Sequence, residues 1–582
     1  MTTARRGGRR RSRRWFLGAL GASAGAAGLT AIGACGDSAS GGPPAALSSP
    51  TPTVAPTQPG EPEPTPTRPP PSGRHGGTLR YTALVSSDGR FDPHLTRSTT
   101  VLSQQALIYS RLIAYESQVE GRLEPDLALG LPEQPDELTY TFHLNPEARW
   151  HEQAPLFNRV VTANDVALSI ERQRQGDTSF PRKARWSQIE SVEALDERTL
   201  TVRTAVPFAG TLDRFASPEG FVVPPELEGG FGSNRQIGSG PFRWLEWSEG
   251  AFASTVRNPA WHGPEGGPFL DGVSAVQPRT ADEVEADFRA KKLDAAVVGF
   301  GPARELKSRL PELREARSAL AQFYGMRFLS ALPPYDDERL RNAITTALDR
   351  RAMLDRFFDG AGTINPWVSA AMTRWSLPQA ELQQRPGYRP GSGGREADVA
   401  EARLALESYL ESKELPDPLE LLVEDDVEES LGMGSLIRDQ LEATLGLNVT
   451  ITPVPIQALG QRLSEGQAPW AVGSDDGWIE LDDWLFPHFH SEGTRNSFAL
   501  RDDDLDALIA DQRAEMSPDR RQAIGYDVQR RLLDLNVGAN FVSEDVVTLF
   551  WPYVQAFPVD AGDAYQDRFA RTWIDRAHPS YV

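Results

Sequence analysis

The alternation of strands and helices in the second half of the chain constrains the fold most strongly. Residues 419–423 and 449–453 have the apolar composition of buried strands, and residues 429–445 between them have helical periodicity. This strand–helix–strand spacing is typical of a parallel sheet covered by helices. Residues 337–358 are predicted to form one long helix in the same half. The pattern therefore predicts an α/β fold.

The first half of the chain adds antiparallel strands to this pattern. Residues 189–204 are predicted to form one hairpin, and residues 241–257 another. Residues 98–116 have the periodicity of a single helix. Trp244 and Trp247 are three positions apart in a predicted strand, so they are expected to face opposite sides of it. The expected body is an α/β chain with an early antiparallel insertion.

The first 35 residues have the layout of an export signal. A basic region is followed by a Gly/Ala-rich apolar run and by the only cysteine, Cys35. The adjacent Arg13 and Arg14 are typical of twin-arginine export. Residues 32–35 resemble a bacterial lipobox, which implies cleavage before Cys35 and lipidation of that residue. An uncleaved anchor over residues 15–34 is the alternative, and either way the body is expected to be tethered outside the cytoplasm, at a membrane surface.

Residues 36–76 are predicted to form a disordered stalk. Twelve prolines fall between Pro43 and Pro71, among Ser, Thr, Gly and Ala. Such a segment cannot bury enough apolar area to offset its ordering entropy. In polyproline form it would reach on the order of 100 Å.

Charge and length limit the function classes. Loss of the seven arginines before Trp15 would take the net charge from −21 to −28. That balance argues against nucleic acid or anionic lipid as a partner, because both bind basic patches. At 582 residues the chain is too long for one core. With one cysteine, no disulfide within the chain is expected.

Short motifs in a fixed order resemble one protein family. They include GGTLR at 76–80, FDPH at 91–94, TANDV at 162–166, GSGPF at 238–242 and ALDR at 347–350. Together they resemble the extracellular solute-binding proteins of the peptide/nickel ABC-importer class, bacterial solute-binding protein family 5. The resemblance covers nearly the whole body.

The resemblance implies a two-lobed, periplasmic-binding-protein-like α/β fold with an extra β-rich subdomain in the first lobe. Lobe I would comprise residues 77–322, and lobe II residues 323–545. Residues 546–582 would return to lobe I, and the ligand would bind in the cleft between the lobes. The implied function is that of a monomeric binding lipoprotein, which needs no cofactor or metal and delivers a peptide or cationic amine to an ABC permease.

The loop at residues 475–484 is the main candidate ligand site. By resemblance, Trp478 matches a tryptophan of peptide-binding members, whereas Leu481 stands where those members carry the Asp that holds the peptide amine. Acidic and indole side chains suit a cation through ion pairs and cation–π contacts. The predicted ligand residues of this loop are Asp475, Asp476, Trp478, Glu480, Asp482, Asp483 and Trp484. As single residues these acids also suit solvated loop or capping positions.

Three further residues are weaker ligand candidates. Ser86 and Ser87 follow the first predicted strand, where the mouth of the cleft is expected, and Tyr324 lies on the expected crossing between lobes. The alternatives to an importer subunit are a secreted hydrolase or a solute sensor on the same fold. Outside the predicted export signal, the sequence has no Gly-x-Ser-x-Gly, His-Glu-x-x-His or phosphate-loop motif. The sequence therefore favours a binding protein over an enzyme.

Overall fold

The structure is a computed structural model that describes residues 74–264, 266–277, 280–475, 480–559 and 565–581. The predicted export signal with Cys35, and the predicted stalk up to residue 73, lie outside these residues. The candidate ligand residues Asp476 and Trp478 also lie outside them. Within the described part of the chain, no helix is both long and apolar enough to cross a bilayer.

The described body contains both strands and helices along its whole length. The strands are β1 (Thr78–Thr82), β2 (Ile113–Ser117), β3 (Arg122–Pro125), β4 (Thr139–His143), β5 (Ile189–Ala194), β6 (Thr199–Thr204), β7 (Phe242–Ser248), β8 (Phe252–Arg257), β9 (Gly272–Val276), β10 (Ala295–Gly299), β11 (Arg314–Ala319), β12 (Phe323–Phe328), β13 (Gly362–Ile364), β14 (Leu419–Glu424), β15 (Val449–Val454), β16 (Trp470–Asp475), β17 (Gly538–Asn540), β18 (Val542–Phe550), β19 (Val554–Gln555) and β20 (Trp573–Ile574). The helices are α1 (Thr99–Gln105), α2 (Ala163–Arg174), α3 (Thr211–Ala216), α4 (Ala281–Arg289), α5 (Phe300–Arg309), α6 (Glu338–Thr346), α7 (Arg350–Phe358), α8 (Gln379–Leu382), α9 (Gly391–Leu410), α10 (Glu428–Leu445), α11 (Ile456–Ser464), α12 (Leu481–Phe489), α13 (Asp503–Ala514) and α14 (Pro518–Leu535).

The largest sheet has the strand order β11-β18-β10-β1-β9-β8-β7, with β13 beside β18. Strand β1 runs parallel to β9 and β10, and β18 runs antiparallel to β10 and β11. Leu79, Ala295 and Leu549 are fully buried in its core. We refer to the described residues before β12 and from β18 onward as lobe I.

A β-rich part of lobe I has its own core. The three-stranded sheet β4-β6-β5 and the hairpin β2–β3 form it, and Trp150, Trp186 and Phe142 are fully buried there. Helix α2 begins with a capping box, in which the Asp165 backbone N–H donates to the Thr162 hydroxyl at 3.3 Å and the Thr162 N–H donates to the Asp165 carboxylate at 2.9 Å.

Lobe II, from β12 to β17, is built on a five-stranded sheet of order β15-β14-β16-β12-β17. Strand β14 is parallel to β15 and β16, and β12 is antiparallel to β16 and β17. Helix α10 connects β14 to β15, which confirms the strand–helix–strand prediction for this stretch. It ends where Gly446 adopts a φ of 69°, a conformation that glycine accepts without steric cost.

The chain crosses between the two large sheets twice, between β11 and β12 and between β17 and β18. The two crossings are hydrogen bonded to each other. The Leu320 N–H donates to the Glu544 carbonyl at 2.9 Å, and the Ser543 hydroxyl donates to the Gln322 carbonyl at 2.7 Å. The lobes are therefore joined by two adjacent segments of chain.

Two predicted helices differ from the structure. Within residues 98–116, α1 ends at Gln105 and the chain is a strand from Ile113, because Ile113 and Tyr115 are buried by pairing with β3. The predicted helix 337–358 is two helices. Asp349 interrupts it and caps α7 by accepting from the Ala352 N–H at 2.9 Å.

Trp244 and Trp247 lie on the same side of β7, contrary to the prediction. A β-bulge between Trp244 and Glu246 shifts the register against β8, and such an extra residue redirects the side chains that follow it. The two indoles stack with centroids 5.9 Å apart and ring planes 8° apart. Both are buried in the lobe I core, where Phe91 packs edge-on against them.

Candidate functional site

The part of the candidate loop from residue 480 onward lies at the junction of the two lobes. Strand β16 ends at Asp475 and α12 begins at Leu481, with Glu480 as its N-cap. The Glu480 carboxylate accepts from the Asp482 N–H at 3.0 Å. Acidic side chains are favourable here because they face the positive end of the helix dipole. The start of α12 therefore brings three carboxylates together, those of Glu480, Asp482 and Asp483.

Glu480 is paired with Arg521 from α14 of the same lobe. Both side chains are 3% exposed. Arg521 also donates to the Gln512 carbonyl at 3.0 Å, and its guanidinium lies 4.9 Å from the Trp375 ring centroid. Burial alone would raise the pKa of Glu480, but the Arg521 charge and the hydrogen bonds to the carboxylate together outweigh it and lower the pKa to about 2.

Asp213 of lobe I meets Glu480 from the other side of the junction. Both carboxyl groups are buried and lie close enough to share a proton, and the Tyr115 hydroxyl donates to the Asp213 carboxyl group. Burial and the facing Glu480 carboxylate raise the pKa of Asp213 to about 7. A carboxyl–carboxylate hydrogen bond needs one proton between the two acids, so Asp213 holds that proton.

Asp483 is held by two arginines of lobe I. Arg214 binds its carboxylate in bidentate fashion, with nitrogen–oxygen distances of 2.8 and 2.6 Å, and Arg185 pairs with the same carboxylate. Arg185 also contacts Glu219 at 2.5 Å. Burial alone would raise the pKa of Glu219, but Arg185 and its neighbouring arginines lower it. Asp483 thus forms a direct ionic contact between the lobes.

Asp482 points back into lobe II. It accepts from the Gln512 side-chain amide at 2.8 Å and lies 3.1 Å from the Arg513 guanidinium. Burial raises the pKa of Asp482. Arg513 lies over Phe486, with 3.8 Å to the ring centroid, and its carbonyl accepts from the Ala209 N–H of lobe I at 2.8 Å. Arg513 therefore belongs to the same interlobe contact.

The remaining candidate ligand residues in the described part of lobe II contact other residues of the same lobe. Asp475 pairs with Arg327. Trp484 is 2% exposed and packs in a core cluster, where its indole N–H donates to the Trp367 carbonyl at 2.9 Å. Tyr324 is 9% exposed in a second core cluster, against Phe358. The structure thus places Trp484 and Tyr324 among apolar side chains of lobe II.

Ser86 and Ser87 contact other residues of lobe I. The Ser87 N–H and hydroxyl both donate to the Glu249 carboxylate, at 2.8 and 2.9 Å. The Ser86 carbonyl accepts from the Ser98 hydroxyl at 3.0 Å. In the described part of the chain, the hydrogen bonds of both serines are made within lobe I, away from the acids at the start of α12.

The acids of the loop are balanced by arginines that sequence reasoning missed. Glu480, Asp482 and Asp483 have guanidinium partners, and these come from both lobes. The partners are Arg185, Arg214, Arg513 and Arg521. Their separation along the chain, 269 and 298 positions for the two that reach Asp483, leaves no local sequence signal. The acids that are clustered in the sequence at residues 480–483 therefore form a network of ion pairs in the folded protein.

Neither the cavities nor the possible metal ligands of the described residues indicate a second ligand site. A cavity of about 360 Å³ lies beside the start of β1, but its charged groups are paired, Arg80 with Asp294 and Lys291 with the Ser580 carbonyl at 2.7 Å. Within the described part of the chain, no group of three or more His, Cys, Asp or Glu side chains could hold a metal ion.

Comparison of the sequence with known proteins identifies a matching family. The model of the bacterial extracellular solute-binding proteins, family 5 (middle region), matches residues 122–497. A Brucella ovis protein named as an ABC transporter peptide-binding protein is 26% identical over 284 residues, which are 47% of this chain and 51% of that protein. The periplasmic oligopeptide-binding protein OppA of Haemophilus influenzae is 25% identical over 324 residues, 51% of this chain and 57% of that one. The chain thus spans about half the length of the curated relatives it matches.

Solved structures establish the fold. The structure of HbpA2 from Haemophilus parasuis has a TM-score of 0.72 at 18% identity and covers 86% of this chain and 100% of its own. The ABC transporter substrate-binding protein CtaP of Listeria monocytogenes has a TM-score of 0.71 at 16% identity, covering 86% and 99%. The predicted two-lobed α/β fold is confirmed.

Proposed function

We propose, since this chain belongs to the bacterial extracellular solute-binding proteins, family 5, that it is the substrate-binding lipoprotein of an ABC importer. It captures a peptide or another amine-bearing solute between its lobes and delivers it, unaltered, to a membrane permease. The observation that carries the proposal is the family match over residues 122–497. The acidic start of α12 at the junction of the lobes supports it, because a solute bound there would contact both lobes.

The location follows from the same proposal. The family is one of extracellular proteins, and the lipobox-like residues 32–35 support a lipid on Cys35. A diacylglyceryl group on Cys35 would hold the receptor at the membrane that contains the permease. Mass spectrometry of the N-terminal peptide checks this step, and a mature protein that begins elsewhere than at a lipidated Cys35 would contradict it.

The ion pairs at the junction restrict where the amine of the solute can bind. Because Glu480, Asp482 and Asp483 already pair with arginines, an amine has either to compete with a guanidinium or to use Asp476. A cationic group that displaces Arg185, whose side chain is 27% exposed, would lose less than one that displaces buried Arg521.

The experiment is calorimetric titration of the full chain with tri- and tetra-alanine and with the same peptides acetylated at the amine. Native mass spectrometry of the purified protein first identifies any solute that is carried through purification. The proposal predicts binding of free peptides and at least tenfold weaker binding of the acetylated ones. Cleavage of the peptides would favour a hydrolase instead, and equal affinity for both forms would remove the amine from the proposal.

A further inference from the structure

The contacts between the lobes contain a pair of acids that can meet only with a proton. The buried carboxyl groups of Asp213 in lobe I and Glu480 in lobe II face each other. Lobe I approaches closely here, since a Cβ placed on Gly210 would lie 3.3 Å from the Glu480 carboxyl carbon. With both acids ionised, two like charges would face each other in a buried contact, which disfavours that contact.

Ion pairs beside this carboxyl pair hold the same two surfaces together. Asp483 receives Arg214 and Arg185 from lobe I. The Ala209 N–H donates to the carbonyl of Arg513. A third contact lies further along the junction, where the Thr373 hydroxyl donates to the Val119 carbonyl at 3.0 Å.

We propose that Asp483 and Asp213 are positioning residues for solute capture: Asp483 clamps lobe II to lobe I, and closure of the junction takes up one proton, which the Asp213–Glu480 pair shares. This inference rests on the proposed function only in requiring that the lobes move apart and together. The proton comes from solvent and returns to it when the lobes separate. No covalent bond changes.

The charged groups around Asp213 determine whether raising the pH opens or closes the lobes. It faces Glu480 from the start of α12, Tyr115 from β2, Arg521 from α14 and Arg374 from the segment before α8. Burial and Glu480 raise the pKa of Asp213 to about 7, and the hydrogen bond from Tyr115 and the Arg374 charge oppose this rise only in part. In separated lobes the pKa of an Asp side chain is about 4. Closed lobes therefore bind more protons than open lobes between about pH 4 and 7, so raising the pH favours opening.

The size of the effect follows from this linkage. Each pH unit between about 5 and 7 weakens closure by at most about tenfold, and the dependence levels off above 7. Between pH 5 and pH 8 the ratio of closed to open molecules should fall on the order of 100-fold. An Asn at position 213 has the shape of the protonated acid and can donate to Glu480 at any pH, so Asp213→Asn should remove the dependence.

The test measures the distance between the lobes by double electron–electron resonance. The full chain has a single cysteine, so Cys35→Ser leaves a background into which two cysteines can be introduced for spin labels. Leu195 in lobe I and Leu404 in lobe II are 60% and 66% exposed and accept the labels without disturbing a core. Distances are recorded from pH 5 to pH 8.5 without added solute, and far-UV circular dichroism of each variant checks that it is folded.

The wild-type chain should shift from the short to the long distance as the pH rises, and Asp213→Asn should keep the short distance throughout. Asp483→Asn should lengthen the distance at every pH. The control Glu381→Gln removes an ion pair with Arg530 inside lobe II, at 2.7 and 2.8 Å, and should leave the distance unchanged. A wild-type distance that does not change with pH, or the same pH profile in Asp213→Asn, overturns the proposal. Because no solute is used, failure to bind peptides would refute the proposed function without changing this result.

Discussion

The buried pair of Glu480 and Arg521 gives the sharpest prediction about stability. Each side chain is 3% exposed, so neither charge can turn to water if its partner is removed. Breaking a buried pair by removing one partner typically costs about 3–5 kcal/mol. The lowered pKa of Glu480 shows that its carboxylate is stabilised in the folded state. We expect Arg521→Met to reduce the free energy of unfolding by about 3–5 kcal/mol.

The pH dependence of the stability follows from the direction in which the pKa of Glu480 is shifted. In the wild type the Glu480 pKa is lowered, so its contribution is present above pH 4.5 and is lost as the pH falls toward 2. In Arg521→Met the same carboxylate is buried without its cation, so its pKa rises above 4.5 and the folded state holds the proton more tightly. The loss in free energy of unfolding of Arg521→Met, relative to the wild type, should therefore be smaller at pH 5 than at pH 8.

The assay is urea unfolding followed by far-UV circular dichroism at both pH values. The matched control is Arg520→Met, the neighbouring residue, whose side chain is 74% exposed and pairs with Glu515 on the surface. Exposed pairs contribute about 0–1 kcal/mol. Adding Glu480→Gln to Arg521→Met should restore part of the loss. If Arg521→Met costs no more than Arg520→Met, or if its deficit is larger at pH 5, the reasoning about the buried pair is wrong.

Packing gives further predictions, which the same unfolding assay checks. Trp247→Ala removes a stacked, buried indole and should cost about 3–5 kcal/mol, whereas Leu245→Ala, at a side chain that is 60% exposed, should change stability by less than about 0.5 kcal/mol; similar losses would show that the bulge is absent. Gly238→Ala places a Cβ 2.0 Å from a backbone carbonyl oxygen and should prevent stable folding, because backbone cannot yield as a side chain can. Gly460→Ala, in α11 with open space around it, should stabilise by about 0.5–1 kcal/mol, and the opposite order of these two glycines would contradict the structure.

The sequence predicted the family and the fold class because both depend on patterns that are local. Periodicity located α10 between β14 and β15, and the motif at 238–242 marks a real steric constraint, since Gly238 and Gly240 both lie against the carbonyl of Ile108. The family prediction is confirmed by the match to residues 122–497. The domain boundaries and the ligand residues stay predictions.

Local patterns failed where pairing with a neighbouring strand decided the structure. Residues 98–116 have helical periodicity, yet the chain from Ile113 forms a strand that pairs with β3, and Tyr115 in it is buried. The bulge in β7 has no signature in the spacing of Trp244 and Trp247, since an extra residue is defined only against the partner strand. Both errors have one cause: tertiary contact overrides local preference.

The acidic loop shows why charge is harder to interpret from sequence than apolar patterning. An apolar side chain can be buried against any other apolar side chain, so its role is visible from periodicity alone. A carboxylate at a junction needs a specific partner, and the partner can be a ligand or an arginine distant in sequence. Here two lobes supply arginines to Glu480, Asp482 and Asp483, so the same carboxylates that suggest a cationic ligand also stabilise the contact between the lobes. A solute that enters this junction must then either add to the network through a group of its own or replace one of its guanidinium groups, and the second route costs least at Arg185, the more exposed of the two arginines on Asp483.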